Sequence, residues 1–536
     1  MGKLILEEHN VVIKDLRRAE VKVAVAYPSL YRVAISSLSF HMLYYGLNNY
    51  DFVAAERVVF DRQLYPNLAF KTLESKSPLK VFDAIVFSVH YEMDYANIAF
   101  LLQRSGIPVF SKDRSEGDPI VVAGGPSLTA NPYPMLGIAD AIALGEMERP
   151  LRELVEALHE GRSRRDALEL LASSKHYLVA GLKEDEGERY WLSDIDESLQ
   201  PVAQVQPVGE RFQPIYGRCF LLEVMRGCPR CCNFCLLAHN FKPARQKSLE
   251  KLLSLLDEGT SLNQVNKVVL LASSLLDYRW AERLLEYVVE ERKLQLSCPS
   301  LFVTRDKEHL LRYIAQGGQR TLTIAPETGT EELRRIVGKA ISDDDVLHVS
   351  KEAKAAGFKK LKLYFMVGIP GEEREDLEAI VELVARVIEE SNFKAPRSVH
   401  VSINPLVPKA NTPMQWFGFS SLDEIRKKLF YLRKSLSSPY VVVDTLSPKG
   451  AEAQAVLSLG GKELARAIAL WASFGGSISG WRRALRQAGI KADEILKPKS
   501  IEHEFPWSKL KSNEKLLAKK YEKLCTMISS KLRRGS

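Results

Sequence analysis

Short apolar runs and longer periodic stretches take turns along most of this chain. VKVAVAY, AIVFSVHYEMDY, PIVVAGGPSLTANPYP and AIALGEMERPLRELVEAL each begin with a continuous apolar run, pass through small or turn residues and, in most cases, continue with helical spacing. Runs that short, without internal alternation, predict strands buried on both faces. Strand alternating with helix predicts a parallel sheet with right-handed crossovers, here over about residues 20–160. Ligands bind at the carboxyl ends of such strands. The candidate cradle is therefore Ser36 and Ser37, Ser88 to Tyr91, and Gly124, Gly125 and Pro126, running on to Ser127.

The rhythm resumes at Arg218 with CFLLEVM, KVVLLAS, LQLSCPS, RTLTIAP, KLKLYFMVG and VHVSINPLVP, the first five each followed by a helical pattern. After the fifth, Leu377, Ile380, Val381, Val384 and Ile388 form one apolar stripe suited to facing a sheet. The pattern predicts a partial (β/α) barrel with reactive groups at its C-terminal strand ends. Residues 161–216 are polar and proline-punctuated, and read as a connecting platform with a small hairpin around Asp185–Gly187. Beyond Ser421 the pattern is mostly helical, with turns at Gly460–Gly461, Gly475–Gly476 and Pro498, and reads as an extension suited to covering a substrate. The expected class is α/β: a doubly wound, Rossmann-like sheet (1–160), the platform (161–216), a barrel (217–420) and a helical extension with a basic tail (421–536).

Composition narrows the setting. At 536 residues, 46% hydrophobic and 26% charged, the chain reads as soluble, globular and multidomain. No stretch approaches the ~18 apolar residues of a membrane span, and the N-terminus lacks signal-peptide order. A cytoplasmic location is expected. The net charge of +8 is concentrated at the end, where Lys509 to Ser536 carry nine basic residues against Glu514 and Glu522. Such a tail is either a solvated helix end or a contact for RNA or anionic membrane.

The chemistry lies in EVMRGCPRCCNFCLLAHNFKPAR, Glu223 to Arg245, directly after the first barrel strand. Four of the seven cysteines fall here, at Cys228, Cys231, Cys232 and Cys235. Either available spacing, through Cys231 or through Cys232, offers three thiolates. A structural zinc takes four ligands, and only His239 or Cys219 is at hand to complete such a set. A four-iron cluster on three thiolates instead leaves one iron open to a small molecule.

The order Cys228-x-x-x-Cys232-x-x-Cys235, with Phe234 before the last cysteine, resembles the signature of radical S-adenosylmethionine (SAM) enzymes. That resemblance implies a [4Fe-4S] cluster on Cys228, Cys232 and Cys235, with SAM chelating the fourth iron; Cys231 departs from the pattern. It also implies SAM contacts. Ser273 and Ser274 stand where many members carry a glycine-rich turn at the amino group. Glu327, in APETGT, is similar to the acidic residue that holds ribose hydroxyls in methylthiotransferases and their relatives. Val367 to Glu373 looks like a G-x-P-G-E turn whose Gly368, Ile369 and Pro370 approach the adenine. Leu406 belongs to NPLVPKANTP, which resembles the stretch after the methylthiotransferase-like barrel, as the core as a whole resembles methylthiotransferase and Elongator-type proteins.

YPSLYRVAISSL, AGGPSLTANP and LGEMERPLRELVE are similar to the cobalamin-binding-type domains ahead of many radical SAM cores. This makes Ser36, Ser37, Ser88, Tyr91, Gly124, Gly125 and Pro126 candidate cobalamin contacts. The D-x-H-x-x-G loop that ligates cobalt elsewhere is absent, its place taken by Tyr27, Pro28 and Ser29.

The implied activity is reductive cleavage of SAM to a 5′-deoxyadenosyl radical, with cobalamin-dependent C-methylation as the leading outcome. One alternative is cobalamin-independent modification, such as methylthiolation, of tRNA or protein; another is a non-catalytic iron–sulfur binding or regulatory protein. An external electron donor such as ferredoxin or flavodoxin is implied. The substrate stays open among RNA, protein, lipid and small molecule. Cys298, at the end of the third barrel strand, is a candidate hydrogen donor, with burial as a small hydrophobe the alternative.

Overall fold

Six strands form the N-terminal sheet in a computed structural model that describes residues 6–299, 301, 302, 304–510 and 513–535. They are β1 (Val21–Tyr27), β2 (Val53–Val59), β3 (Ala84–Ser88), β4 (Ile120–Gly124), β5 (Ala141–Ala143) and β6 (Tyr177–Val179). Their spatial order is β2-β1-β3-β4-β5-β6, parallel except for the antiparallel edge strand β6. Between β1 and β3 the strand order reverses, so the loops leaving them part and open a crevice. Val23, Ala24, Val25, Ile85, Val121 and Ile142 are fully buried, as strands covered on both faces require.

Two of these strands depart from the hydrophobic pattern. β2 carries Glu56 and Arg57 in its middle, yet every residue of it is buried. The Arg57 guanidinium donates to Glu8 at 2.7 and 2.8 Å and to Glu74 at 2.6 Å, and Glu56 accepts from Ser75 Oγ at 2.6 Å. Buried charge is tolerated here because each group is paired. The segment expected as a hairpin sends Tyr177–Val179 to pair with β5 instead.

The barrel consists of two parallel arcs. β7 (Phe220–Glu223), β8 (Lys267–Leu271) and β9 (Gln295–Ser297) pair in the order β9-β8-β7. β10 (Thr321–Glu327), β11 (Lys360–Val367), β12 (Val399–Pro405) and β13 (Val441–Asp444) pair in sequence order. Strand β13 adds a seventh member beyond the six read from the pattern. Along β11, Leu361, Leu363, Phe365 and Val367 are buried while Lys362, Tyr364 and Met366 are half-buried. The first set packs with Leu377, Ile380 and Val384 of the helix Arg374–Ser391; strand geometry sends the second to the opposite face.

The helical extension divides between two partners. The helices Pro448–Leu459, Leu464–Ser473 and Ile478–Ala488 share the core of the N-terminal sheet rather than covering the barrel. Asn131 Nδ2 donates to the carbonyls of Ser458 (3.0 Å) and Gly460 (2.8 Å), and Glu92 accepts from Lys409 (2.6 Å) and Gln454 (2.9 Å). The helix Glu514–Gly535 lies on the barrel, its Leu524 and Ile528 packed with Leu333, Ile336 and Ile369, and its Lys531 paired with Asp376 at 2.9 Å.

A buried charge knot ties the two sheets together. Glu146, just after β5, accepts from Arg226 at 2.8 Å and Arg245 at 2.5 Å, and Arg226 also reaches Glu148 (3.0 Å) and Glu223 (2.9 Å). Among the described residues no helix is long and apolar enough to cross a membrane.

Candidate active site between the two sheets

The strand ends of both sheets open onto one cavity of about 670 Å³. From the N-terminal side it is lined by Ser36, Ser37, Ser88, Gly124, Gly125 and Pro126. From the barrel side come Glu223 and Arg226 beside β7, Gly227 at the head of the cysteine loop, and Leu271, Ala272 and Ser273 at the end of β8. Its walls are mostly apolar, with a few polar groups placed to orient a ligand.

The N-terminal wall is shaped by glycine and hydroxyl groups. Gly125 has φ 130°, and a Cβ there would stand 2.1 Å from the carbonyl oxygen of Val89, so only glycine fits. Ser37 and Ser39 lie 3.0 Å apart, Ser39 and Ser88 3.0 Å apart, and His90 Nε2 shares hydrogen bonds with Ser39 Oγ (2.8 Å) and Ser88 Oγ (3.2 Å). The His90 ring faces the cavity, accessible to a small molecule but enclosed by protein, and that burial lowers its pKa to about 4. It is neutral at pH 7. Tyr91, expected in this wall, is 38% exposed and is not among the cavity residues. One position along the extended backbone turns the side chain to the opposite face, so His90 takes the place expected of Tyr91.

On the barrel side, the cysteine loop is pinned at its tip and its base. Arg230 donates both guanidinium arms to Asp277 and lies 4.1 Å from the centre of the Phe302 ring. Asn233 donates its backbone N–H to Val337 and its side-chain amide to Ile336, both at 2.9 Å. These contacts hold Cys228, Cys232 and Cys235 within one another's electrostatic reach. Burial pushes the Cys232 thiol up to about 11, and also raises Cys235, against which the backbone N–H groups of Ala238 and Leu237 work. Cys231 behaves differently. It sits in the left-handed region at φ 55°, and its Sγ lies 3.5 Å from the Pro229 carbonyl.

Among the described residues no group of three histidine, cysteine or carboxylate side chains meets the geometry of a metal site. The donor set nevertheless fits an iron–sulfur cluster better than zinc. His239 spends Nε2 on the Cys232 carbonyl at 3.0 Å, and Cys219 is buried with Leu38, Met42 and Leu221, so neither expected fourth zinc ligand joins the three thiols. Three thiols with no protein partner for a fourth position suit a cluster with one open iron.

The residues expected around SAM fall into two groups. Phe234, Ile369 and Leu406 pack in one apolar patch with Ile336, Val337 and Met414. Gly368 sits at φ 79°, donates its N–H to Glu372 Oε2 at 2.7 Å and accepts from Ser420; Pro370 follows in the same turn. Glu372 is itself paired with Lys428 at 2.7 Å, so it braces the turn. Glu327, at φ 73° on the end of β10, is buried with Oε1 on Lys339 at 2.7 Å, leaving Oε2 without a hydrogen bond among the described residues. Burial raises its pKa and Lys339 opposes the rise. At the end of β8, Ser273 donates to the Gly227 carbonyl while Ser274 Oγ is buried with no partner. Cys298 is only 3% exposed, inside the barrel's apolar core, where burial pushes its thiol up. No face of it opens on the cavity.

Sequence reasoning included His90 in the run Ser88 to Tyr91 without singling it out, and missed Ser39 and Tyr27 as wall residues and, on the barrel side, Lys339 and the charge knot at Arg226. A lone histidine after an apolar run carries no signal of its own; its meaning comes from the strand reversal, which the pattern does not contain.

Comparisons with known proteins agree with this arrangement. The family profile described as radical SAM proteins, N-terminal, matches residues 39–179, and that of the radical SAM superfamily matches residues 222–384. An uncharacterized protein of Methanocaldococcus jannaschii is 32% identical over 453 residues, 83% of this chain and 90% of that protein. An uncharacterized methyltransferase of Pyrococcus horikoshii is 25% identical over 272 residues, 50% of this chain and 58% of its own. Among solved structures, the radical SAM methyltransferase TsrM of Kitasatospora setae, with cobalamin and a [4Fe-4S] cluster bound, superposes with a TM-score of 0.52 at 14% identity, covering 87% of this chain and 99% of that one. The cobalamin-dependent SAM radical enzyme OxsB with aqua-cobalamin bound gives a TM-score of 0.50 at 12% identity, covering 96% and 81%. At these identities the structural likeness is one of fold.

Proposed function

The chain belongs to the radical SAM superfamily and is an enzyme of that class, and from this premise we propose that it is a cobalamin-dependent methyltransferase acting in the cavity between its two sheets. The observation that carries the reading is the shared cavity, with a glycine- and serine-lined wall on one side and, on the other, Gly227, Leu237 and Phe241, which flank the cysteines in sequence. A group held at the N-terminal wall and one held by the cysteines next to Gly227 would be positioned for transfer across this space. When bound, a [4Fe-4S] cluster with SAM supplies the 5′-deoxyadenosyl radical and cobalamin supplies the methyl group.

The protein's own part is binding, orientation and exclusion of water. Cys228, Cys232 and Cys235 hold the cluster, each thiol giving up its proton as metal binds. The backbone from Gly368 to Pro370 and the patch of Phe234, Ile369 and Leu406 receive the adenine, and Glu327 Oε2 accepts from the ribose hydroxyls. Lys339 opposes the rise that burial imposes on the pKa of that carboxylate. Ser36, Ser37, Ser88, Gly124, Gly125 and Pro126 form the corrin face, with His90 Nε2 and the two serines as its polar contacts. The seven free cysteines suit a reducing cytoplasm, where thiolates stay available for metal.

Anaerobic purification followed by cluster reconstitution tests the proposal. The expected result is a cobalamin visible spectrum, formation of 5′-deoxyadenosine from SAM with dithionite, and loss of corrin in Gly125→Leu with the cluster retained. Absence of 5′-deoxyadenosine removes the reading altogether; its formation without any bound cobalamin replaces methyl transfer by a cobalamin-independent modification.

A further inference from the structure

The helix Glu514–Gly535 has two unlike halves. In its second half Lys531 reaches Glu373 and Asp376, at 3.0 and 2.9 Å, and Arg534 reaches Glu332, so the basic residues clasp the barrel. In its first half Lys515, Lys519 and Lys523 recur at i, i+4 and i+8 on the exposed side, and Lys520 lies half-buried at the edge of the packed face. None of these four forms an ion pair or side-chain hydrogen bond among the described residues. Two carboxylates share that half: Glu514, which accepts from Ser508, and the exposed Glu522.

This unpaired charge stands beside the cysteine loop. A second cavity, of about 220 Å³, is lined by His239 from the helix Leu236–Asn240 and Lys242 just after it, Arg189, and Leu516 and Leu517 from the helix Glu514–Gly535, with no carboxylate in its lining. His239 bonds the Cys232 carbonyl at 3.0 Å, placing the cavity one side chain from the backbone of a cluster ligand. The segment Leu236–Lys242 thus separates two spaces: Leu237 and Phe241 border the large cavity, His239, Asn240 and Lys242 the small one. Lys520 has its pKa lowered by burial and by Lys242, and feels Cys231 and Cys232 in the opposite sense, so the two lysines crowd one another at the loop. Leu516, 51% exposed, offers an apolar point among the lysines.

Uncompensated positive charge around an exposed apolar residue is the electrostatic complement of an acidic protein surface, and raises the association rate with such a partner. The proposed reaction needs one electron delivered to the cluster from outside. We propose that the face made by Lys242, Lys515, Lys519, Lys520 and Leu516 is the docking surface for an acidic one-electron carrier protein bearing flavin or iron–sulfur. The carrier loses one electron, the cluster gains one, and no atom or proton changes hands. This inference rests on the reading of Cys228, Cys232 and Cys235 as cluster ligands.

The test compares the reconstituted wild type with Lys242→Glu/Lys520→Glu and with Lys515→Glu/Lys519→Glu, using an acidic flavodoxin as the carrier. Binding of oxidised flavodoxin is measured by calorimetry, and cluster reduction by loss of its visible absorbance, with either reduced flavodoxin or dithionite as reductant. Both variants are expected to bind flavodoxin at least tenfold more weakly and to be reduced by it at least tenfold more slowly, while reduction by dithionite is unchanged. Wild-type binding is expected to weaken as salt rises through the range where surface charge is screened. Lys515 and Lys519 are exposed, so their variant keeps the test sound where the half-buried pair disturbs folding. Unaltered flavodoxin binding in both variants overturns the proposal, as does loss of RNA binding with flavodoxin-dependent reduction intact. Failure of wild type to form 5′-deoxyadenosine even with dithionite strikes at the enzymatic reading instead.

Discussion

The N-terminal sheet and the barrel present the same feature, the carboxyl ends of parallel strands, but furnish it in opposite ways. At the N-terminal sheet the ends carry serine hydroxyls, glycines and a histidine kept neutral by burial. At the barrel they carry thiols and paired charges, Glu327 with Lys339 and Glu372 with Lys428. One surface selects by shape and backbone closeness, the other by ligation and charge. A broad ligand that brings its own reactive centre needs only the first kind of wall; a metal cluster and a zwitterionic cosubstrate need the second. The contrast shows one topology furnishing two differently equipped walls, although serine and glycine occur on both.

The comparison is broken most severely at the cysteines. Cys232→Ala is expected to abolish iron–sulfur absorbance and all 5′-deoxyadenosine formation while the secondary structure seen by circular dichroism stays the same. Cys231→Ala is expected to keep both, because the cysteine spacing of the resemblance runs through Cys232 and Cys231 stands apart in left-handed backbone at φ 55°; a cluster lost in Cys231→Ala and kept in Cys232→Ala would reverse the ligand assignment.

The next effect is on the link between the sheets. Arg226→Ala leaves Glu146, Glu148 and Glu223 facing one another without their shared partner, and is expected to cost about 3–5 kcal/mol in urea unfolding. Gly125→Ala acts on the N-terminal wall alone. Its positive φ and the Val89 carbonyl together predict a loss of about 1–3 kcal/mol and weaker corrin retention, with iron content unchanged. The smallest effect is that of pH. His41, His90 and His239 all have pKa values lowered to about 4, chiefly by burial, from an ordinary imidazole value of about 6.5. Below that ordinary value the unfolded chain takes up protons that the native protein refuses, so the histidines' contribution to stability should fall as pH drops from about 6.5 toward 4, while Asp94, whose pKa burial raises to about 7, contributes in the opposite sense over that range. Urea midpoints of Asp94→Asn at pH 7 and pH 5 check this, and equal midpoints in that variant would exclude the neutral histidines as a source of acid sensitivity.

The strands that formed as expected are those whose burial is purely apolar. β1 (apart from Lys22), β3 and β4 are hydrophobic runs because helices cover both faces, whereas barrel strands such as β11 carry an apolar set at alternate positions toward the helices. β2 was hidden because Glu56 and Arg57 break its run, and only Glu8, Glu74 and Ser75, distant in sequence, make their burial tolerable. β13 is three half-buried residues and the exposed Asp444 at the open edge of the barrel, too short and too wet to declare itself. At the site, the cysteine spacing and the Gly368 turn were visible because local chemistry demands those residue types at fixed offsets. Lys339 was not, and His90 only as an unmarked member of the run Ser88 to Tyr91, since their roles come from partners that only the tertiary fold brings near. Tyr91 shows the limit of reading a loop by residue type, one position being enough to send a side chain to the other face.

The knot of Glu146 with Arg226 and Arg245 has a bearing on how such enzymes diversify. A carboxylate shared by two guanidiniums from the barrel fixes the angle between the halves, so the distance separating the two walls is inherited as a constant. Changing it requires several simultaneous substitutions, each passing through an intermediate with an unmatched buried charge. New substrates are therefore reached more readily by exchanging the small residues that pave the cavity, such as Ala143, Ala272 and the serines at 36 and 37. Relatives with different substrates should then differ in paving and agree in the knot.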